Sequence, residues 1–140
     1  MGVEERRAAR IGTVSGLALL VGGTAIAAVA DGAHSVFATV LLAMLTLGLS
    51  HALLDEIRRQ ARRRVGFWIG HDTVNTVLLG TWAGLALIVT VLPATSGQVR
   101  AVGLILSLGY ALSCAYFVIE RRRTIVAVTA TALVEAGHDG

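Results

Sequence analysis

Residues 33–72 decide the fold: Ala33–Leu54 reads AHSVFATVLLAMLTLGLSHALL, and Asp55–Asp72 reads DEIRRQARRRVGFWIGHD. The first stretch holds no Asp, Glu, Lys or Arg over about 20 residues, the length a helix needs to cross a bilayer core. The second is dense in arginine, and its start keeps a helical period, with Ile57, Ala61 and Val65 at i, i+4 and i+8. A membrane span that runs on into a cytoplasmic arginine helix is expected here. Asp55 stands four residues before Arg59, a favourable order for an ion pair on that helix. Gly66 and Gly70 then loosen the chain, and Phe67 and Trp68 suit an interfacial aromatic anchor.

Three more apolar runs flank this pair. Ile11–Ala30 precedes it and is turned by Asp31–Gly32, a strong breaker that makes the first two spans an antiparallel hairpin. The length of that first run, with a second span close behind, favours a retained helix over a cleaved signal peptide. Thr73–Leu92 follows, closed by Pro93, and Val99–Ile119 comes after a short polar loop at 94–98. The fold expected is all-α: an integral membrane bundle of four transmembrane helices, with spans at about 11–30, 33–54, 73–92 and 99–119. Residues 1–123 form this single domain, and 124–140 form a cytoplasmic tail too short to cross again. The Thr and Val content of that tail suits an interfacial strand or a frayed extension of the last helix, and sequence does not choose between them.

Composition agrees. Of the 140 residues 55% are hydrophobic, and the mean hydropathy is +0.74, leaving too little polar surface to cover a soluble globule. All 12 basic residues are arginine: three before the first span, five between the second and third, three after the fourth, and Arg100 alone on the other side. That asymmetry puts both termini in the cytoplasm, and a bacterial cytoplasmic membrane is the expected location. Without lysine, Schiff-base chemistry is excluded. The single cysteine, Cys114, lies in a span and excludes an intramolecular disulfide or a CxxC site.

Few residues suggest chemistry. His51 and Asp55 share one helix face near the inner end of the second span, and His71 and Asn75 share another at the start of the third, beside Asp72. Imidazoles and carboxylates at that depth are ligands for a metal ion, or for haem iron through histidine, or members of a proton relay. A plainer reading pairs Asp55 and Asp72 with neighbouring arginines. Gly12–Gly16 and Gly80–Gly84 have the small-xxx-small spacing of helix contacts in lipid, which points to a homo-oligomer or a membrane-protein partner. Arg58, Arg59, Arg62, Arg63 and Arg64 suit anionic headgroups on the cytoplasmic side rather than nucleic acid. Ser50, Ser107 and Ser113 are expected to bond to nearby helix carbonyls.

Two resemblances follow from these residues. VADGAHSV (29–36) and HDTVN (71–75) resemble the metal-ligand segments of cation diffusion facilitators, although Ala38 and Asn75 stand where that family has aspartates. DEIRRQARRRVGFWI (55–69) resembles the DERxxxI-type loop of small uncharacterised prokaryotic membrane proteins, between their second and third of four helices, with Ile57 replacing a charged residue. That resemblance implies the architecture and no activity. Small spans, the lack of a catalytic motif and the glycine spacing make the expected function a non-enzymatic multi-pass module: an oligomeric channel or transporter-like unit, or an accessory subunit. The alternative is a metal- or haem-binding redox protein built on His51 and His71.

Overall fold

The computed structural model describes residues 3–30 and 36–138, with side chains from Thr13 onward. Four helices follow in order: α1 Val3–Val29, α2 Val36–Ala61, α3 Gly70–Val91 and α4 Gly97–His138. The protein is an all-α bundle, and no strand occurs among the described residues. Helices α2, α3 and α4 are each long and apolar enough to cross a membrane, and α1 adds a shorter apolar stretch at Thr13–Val29. Asp31 and His34 lie outside the described residues.

Two hairpins, α1–α2 and α3–α4, pack side by side so that α2 and α3 take the diagonal corners. Each helix turns a narrow stripe inward. On α2 the buried residues are Leu53, Glu56, Ile57, Gln60 and Ala61; on α3 they are Asp72, Asn75, Leu79 and Ala86. These recur at steps of three, four and seven, the spacing that keeps side chains on one helical face. Val14, Ala18 and Val21 of α1 meet Tyr110 and Phe117 of α4 in the same core. Outward faces carry large apolar residues in quantity, Phe37, Met44, Leu47, Ile105 and Leu112 among them. In a soluble protein such a surface is a liability; in hydrocarbon it is the expected exterior.

Hydrogen bonds tie the helices where packing is closest. The Thr46 hydroxyl donates to Thr24 Oγ1 (2.9 Å) across the first hairpin, and Trp82 Nε1 donates to Ser15 Oγ (3.3 Å) between α3 and α1. Tyr110 reaches across from α4 to the Ala18 carbonyl. At Gly103 the two helices of the second hairpin nearly touch. A Cβ there would lie 2.8 Å from Thr90 Oγ1 and 3.1 Å from the Ala86 carbonyl oxygen. Gly12 lies in α1, and the surroundings of its side are outside the described residues; Gly16, Gly80 and Gly84 face open space within 4 Å. Among the described residues, close helix approach inside the protomer therefore falls at Gly103 and not at Gly16, Gly80 or Gly84.

Helix α4 decides between the two forms that the sequence left open for the tail. It does not stop at the arginine triplet but continues as one helix to His138. Of the two forms left open for the tail, the helical extension is the one adopted. Elongating an existing helix needs no new nucleus, and Ala127, Ala130, Ala132, Leu133, Glu135 and Ala136 are strong helix formers. The 62–69 connection also rests on it: Thr129 Oγ1 lies 3.5 Å from the Gly66 carbonyl, and a Cβ on Gly66 would touch Val128 at 3.4 Å. Helix α2 ends at Ala61, four residues short of Val65. Ser50 bonds back to the Thr46 carbonyl at 2.7 Å, as expected of a serine in an apolar span.

Candidate functional site: a buried polar cluster at the arginine-rich end

The inward stripes of α2, α3 and α4 turn polar at one end of the bundle. Glu56, Gln60, Asp72, Asn75 and Arg121 are all buried there, from 7% exposed for Glu56 to 0% for Arg121. The Arg121 guanidinium is fully engaged. Its Nε donates to Asp72 Oδ2 (2.9 Å), Nη1 to the Arg63 carbonyl (2.7 Å) and Nη2 to the Phe67 carbonyl (3.1 Å). Guanidinium suits this place because it offers several donors in a fixed plane. Asp72 Oδ2 also accepts the Ile69 backbone N–H (3.1 Å), so the same carboxylate caps the start of α3.

A second chain of bonds joins the diagonal helices. Asn75 Nδ2 donates to Gln60 Oε1, Gln60 Nε2 donates to Glu56 Oε1 (2.5 Å), and Arg59 closes on Glu56 Oε2. Together the two groups join α2, the 62–69 connection, α3 and α4. Asn75 Oδ1 and His71 Nε2 are buried and carry no hydrogen bond among the described residues.

The sequence-derived candidates separate into two sets. Asp72 and Asn75 face the interior, and Asp72 takes an arginine as the plainer reading has it. His51 and Asp55 face outward on α2, 74% and 59% exposed at the side chain, with His51 Nε2 3.8 Å from Asp55 Oδ2. Asp55 pairs with Arg58 (3.5 Å) rather than with Arg59, because Arg59 is taken by Glu56. His71 is half-buried on α3. Among the described residues no three His, Cys, Asp or Glu side chains gather as a metal site would need. Cys114 Sγ lies 3.5 Å from the Thr76 carbonyl, in the contact between α3 and α4.

The arginine surface is more open. Arg58, Arg59 and Arg62 are 52%, 72% and 65% exposed, Arg64 is exposed and Arg63 half-buried. Arg62 Nε donates to Glu120 (3.2 Å). That bond, with the nearby Tyr116 hydroxyl, pushes the Arg62 pKa above its ordinary value. Trp68 Nε1 donates to Thr73 Oγ1 (2.9 Å), and Phe67 stands exposed beside it, which suits the interfacial anchor.

Sequence reasoning missed Glu56, Gln60 and Arg121. A signal for Arg121 is present: Gly103, Tyr110, Phe117 and Arg121 follow steps of seven, seven and four. That phase puts the first arginine of the triplet on the buried stripe and leaves Arg122 and Arg123 exposed. For Glu56 and Gln60 the signal is their position one residue before Ile57 and Ala61. As chemistry, the cluster pairs each carboxylate with an arginine and contains no nucleophile beside a base. It closes the end of the bundle. No family model, curated protein or solved structure matches this chain.

Proposed function

We propose that this chain is a non-enzymatic, multi-pass membrane module that works by assembling with copies of itself in the plane of a bacterial cytoplasmic membrane. Four spans with both termini inside are the topology that the arginine distribution supports, with α1 contributing Thr13–Val29. The observation that carries the reading is the outer face of α3. Gly80 and Gly84 lie on it one turn apart, both exposed, and a Cβ on either would meet nothing within 4 Å. Val77 and Ile88, 59% and 53% exposed, continue the same face. In lipid, helices associate where small residues let backbones approach, and this face is smooth and unused inside the protomer.

The interior supports assembly over conduction by a single copy. Val14, Ala18, Val21 and Ala86 fill the middle of the bundle with apolar side chains, and the polar cluster is confined to one end. Any path for an ion or solute would run between copies. The test is Gly84→Leu, read by single-molecule subunit counting in liposomes together with thermal unfolding in detergent. The proposal expects loss of oligomers with an unchanged protomer melting temperature. Oligomers that persist in a Gly80→Leu/Gly84→Leu double variant would overturn it.

A further inference from the structure

A second surface feature lies on the opposite side of the protomer and does not depend on assembly. Between α2 and α4, with α1 as its floor, runs a groove of about 430 Å³. We infer that this groove binds one anionic phospholipid of the cytoplasmic leaflet, an acyl chain lying in the groove and the phosphate at Arg58. The volume falls within the range of built small-molecule sites, about 300–1,000 Å³.

Polarity grades along the groove. Val21, Ile105 and Leu106 line its deep end, whereas Ser113, Tyr116 and Arg58 line the end toward the arginine-rich face. Helices α2 and α4 run in the same direction, so the groove follows them along the bilayer normal, as an acyl chain does. From Ser50 to Arg58 on α2 is about 12 Å at 1.5 Å per residue, which carries the lining from hydrocarbon to headgroup depth. Arg58 is half-exposed and makes one 3.5 Å contact to Asp55, leaving most of its donors directed elsewhere. Arg62, whose Nε donates to Glu120 (3.2 Å), lies outside the groove lining. An arginine at headgroup depth is complementary to a phosphodiester with a net negative charge, and much less so to a zwitterion.

The same charges disfavour α2 or α4 of a second copy in this groove. A copy inserted with the same topology would bring its own α2 or α4 arginines to the level of Arg58, like against like. Gly109 provides the means of a test. It is exposed in the groove wall, and a Cβ there meets nothing within 4 Å, so a large side chain can fill the groove without displacing the backbone.

The experiment is native mass spectrometry of the detergent-solubilised protein titrated with phosphatidylglycerol or phosphatidylcholine of equal chain length. The inference expects one retained phosphatidylglycerol per protomer, held at least fivefold more tightly than phosphatidylcholine. Gly109→Phe should release both lipids, and Arg58→Gln should remove the preference while leaving some binding of each. A photoactivatable diacyl phosphatidylglycerol should label α4 within 105–116 in the wild type, a readout that survives if Gly109→Phe folds poorly. Equal retention of the two lipids overturns the inference. So does undiminished phosphatidylglycerol binding by Gly109→Phe, labelling outside this groove, or a groove found occupied by a second protomer.

Discussion

Arg121 and Asp72 form an ion pair from which solvent is excluded: Nε to Oδ2 is 2.9 Å, and the two side chains are 0% and 2% exposed. The pair joins α4 to the first turn of α3, and two further donors of the same guanidinium grip the connection between α2 and α3 at Arg63 and Phe67. Such a pair is weak evidence for net stability over an apolar replacement, but breaking it from one side leaves a buried charge uncompensated.

Arg121→Leu is therefore expected to destabilise the bundle by about 3–5 kcal/mol. Arg121→Lys should recover only part of this, because a single ammonium does not match three acceptors held by a planar fork. Chemical unfolding in mild detergent, followed by circular dichroism, measures both. A Leu variant as stable as the wild type would mean that the pair is dispensable.

The two hairpin helices give a contrast between glycines. Gly103→Ala should cost about 1–3 kcal/mol, since the added methyl meets Thr90 and the Ala86 carbonyl. Gly84→Ala should leave the protomer as stable or slightly more so, because alanine is the better helix former and the space is open. Thermal unfolding of the two variants side by side checks the difference.

Gln60 and Asn75 are expected to behave as a coupled pair. Asn75→Leu alone removes the amide donor that Gln60 Oε1 accepts from and should cost about 0.5–1.5 kcal/mol. Combining it with Gln60→Met removes both ends of the bond, and the double variant should be more stable than the sum of the single losses implies. A double-mutant cycle reads the coupling directly, and strict additivity would contradict the hydrogen bond.

Tyr110→Phe should cost about 0.5–1.5 kcal/mol. The loss is modest because Ala18 keeps its place within α1 when the phenol is gone. Gly22→Ala should disturb the same contact from the other side, since its methyl would lie 3.1 Å from the Tyr110 hydroxyl. Melting temperatures of both variants provide the measurement.

The membrane character was legible in the sequence because hydrocarbon imposes a simple rule, an uncharged run of fixed length, and arginine marks the ends. The period of Ile57 and Ala61 likewise told which side of α2 faces inward. The polar cluster was not legible in the same way. Whether Arg121, Arg122 or Arg123 turns inward depends on the rotation of α4, which is fixed by how Gly103, Tyr110 and Phe117 seat against other helices. The facing of His51 and His71 was hidden for a related reason. Both residues lie near the same end of the bundle, but His51 is on the exposed side of α2, and sequence depth carries no information about facing. The tail was ambiguous because threonine and valine disfavour helix locally, whereas continuity with α4 and the contact at Gly66 favour it.

The unbroken α4 has a mechanical consequence. Its 42 residues make a rod of about 63 Å, roughly twice the hydrocarbon thickness, and nothing in the described backbone interrupts it. Arg121 lies near the point where the rod leaves the bundle, anchored on α3 and on the 62–69 connection. With that anchor as fulcrum, the short loop before Gly97 and the distal end at His138 are opposite arms of one lever. A tilt of about 5° would swing the distal end, some 25 Å beyond Arg121, by about 2 Å. An unbroken helix passes such a tilt along its whole length.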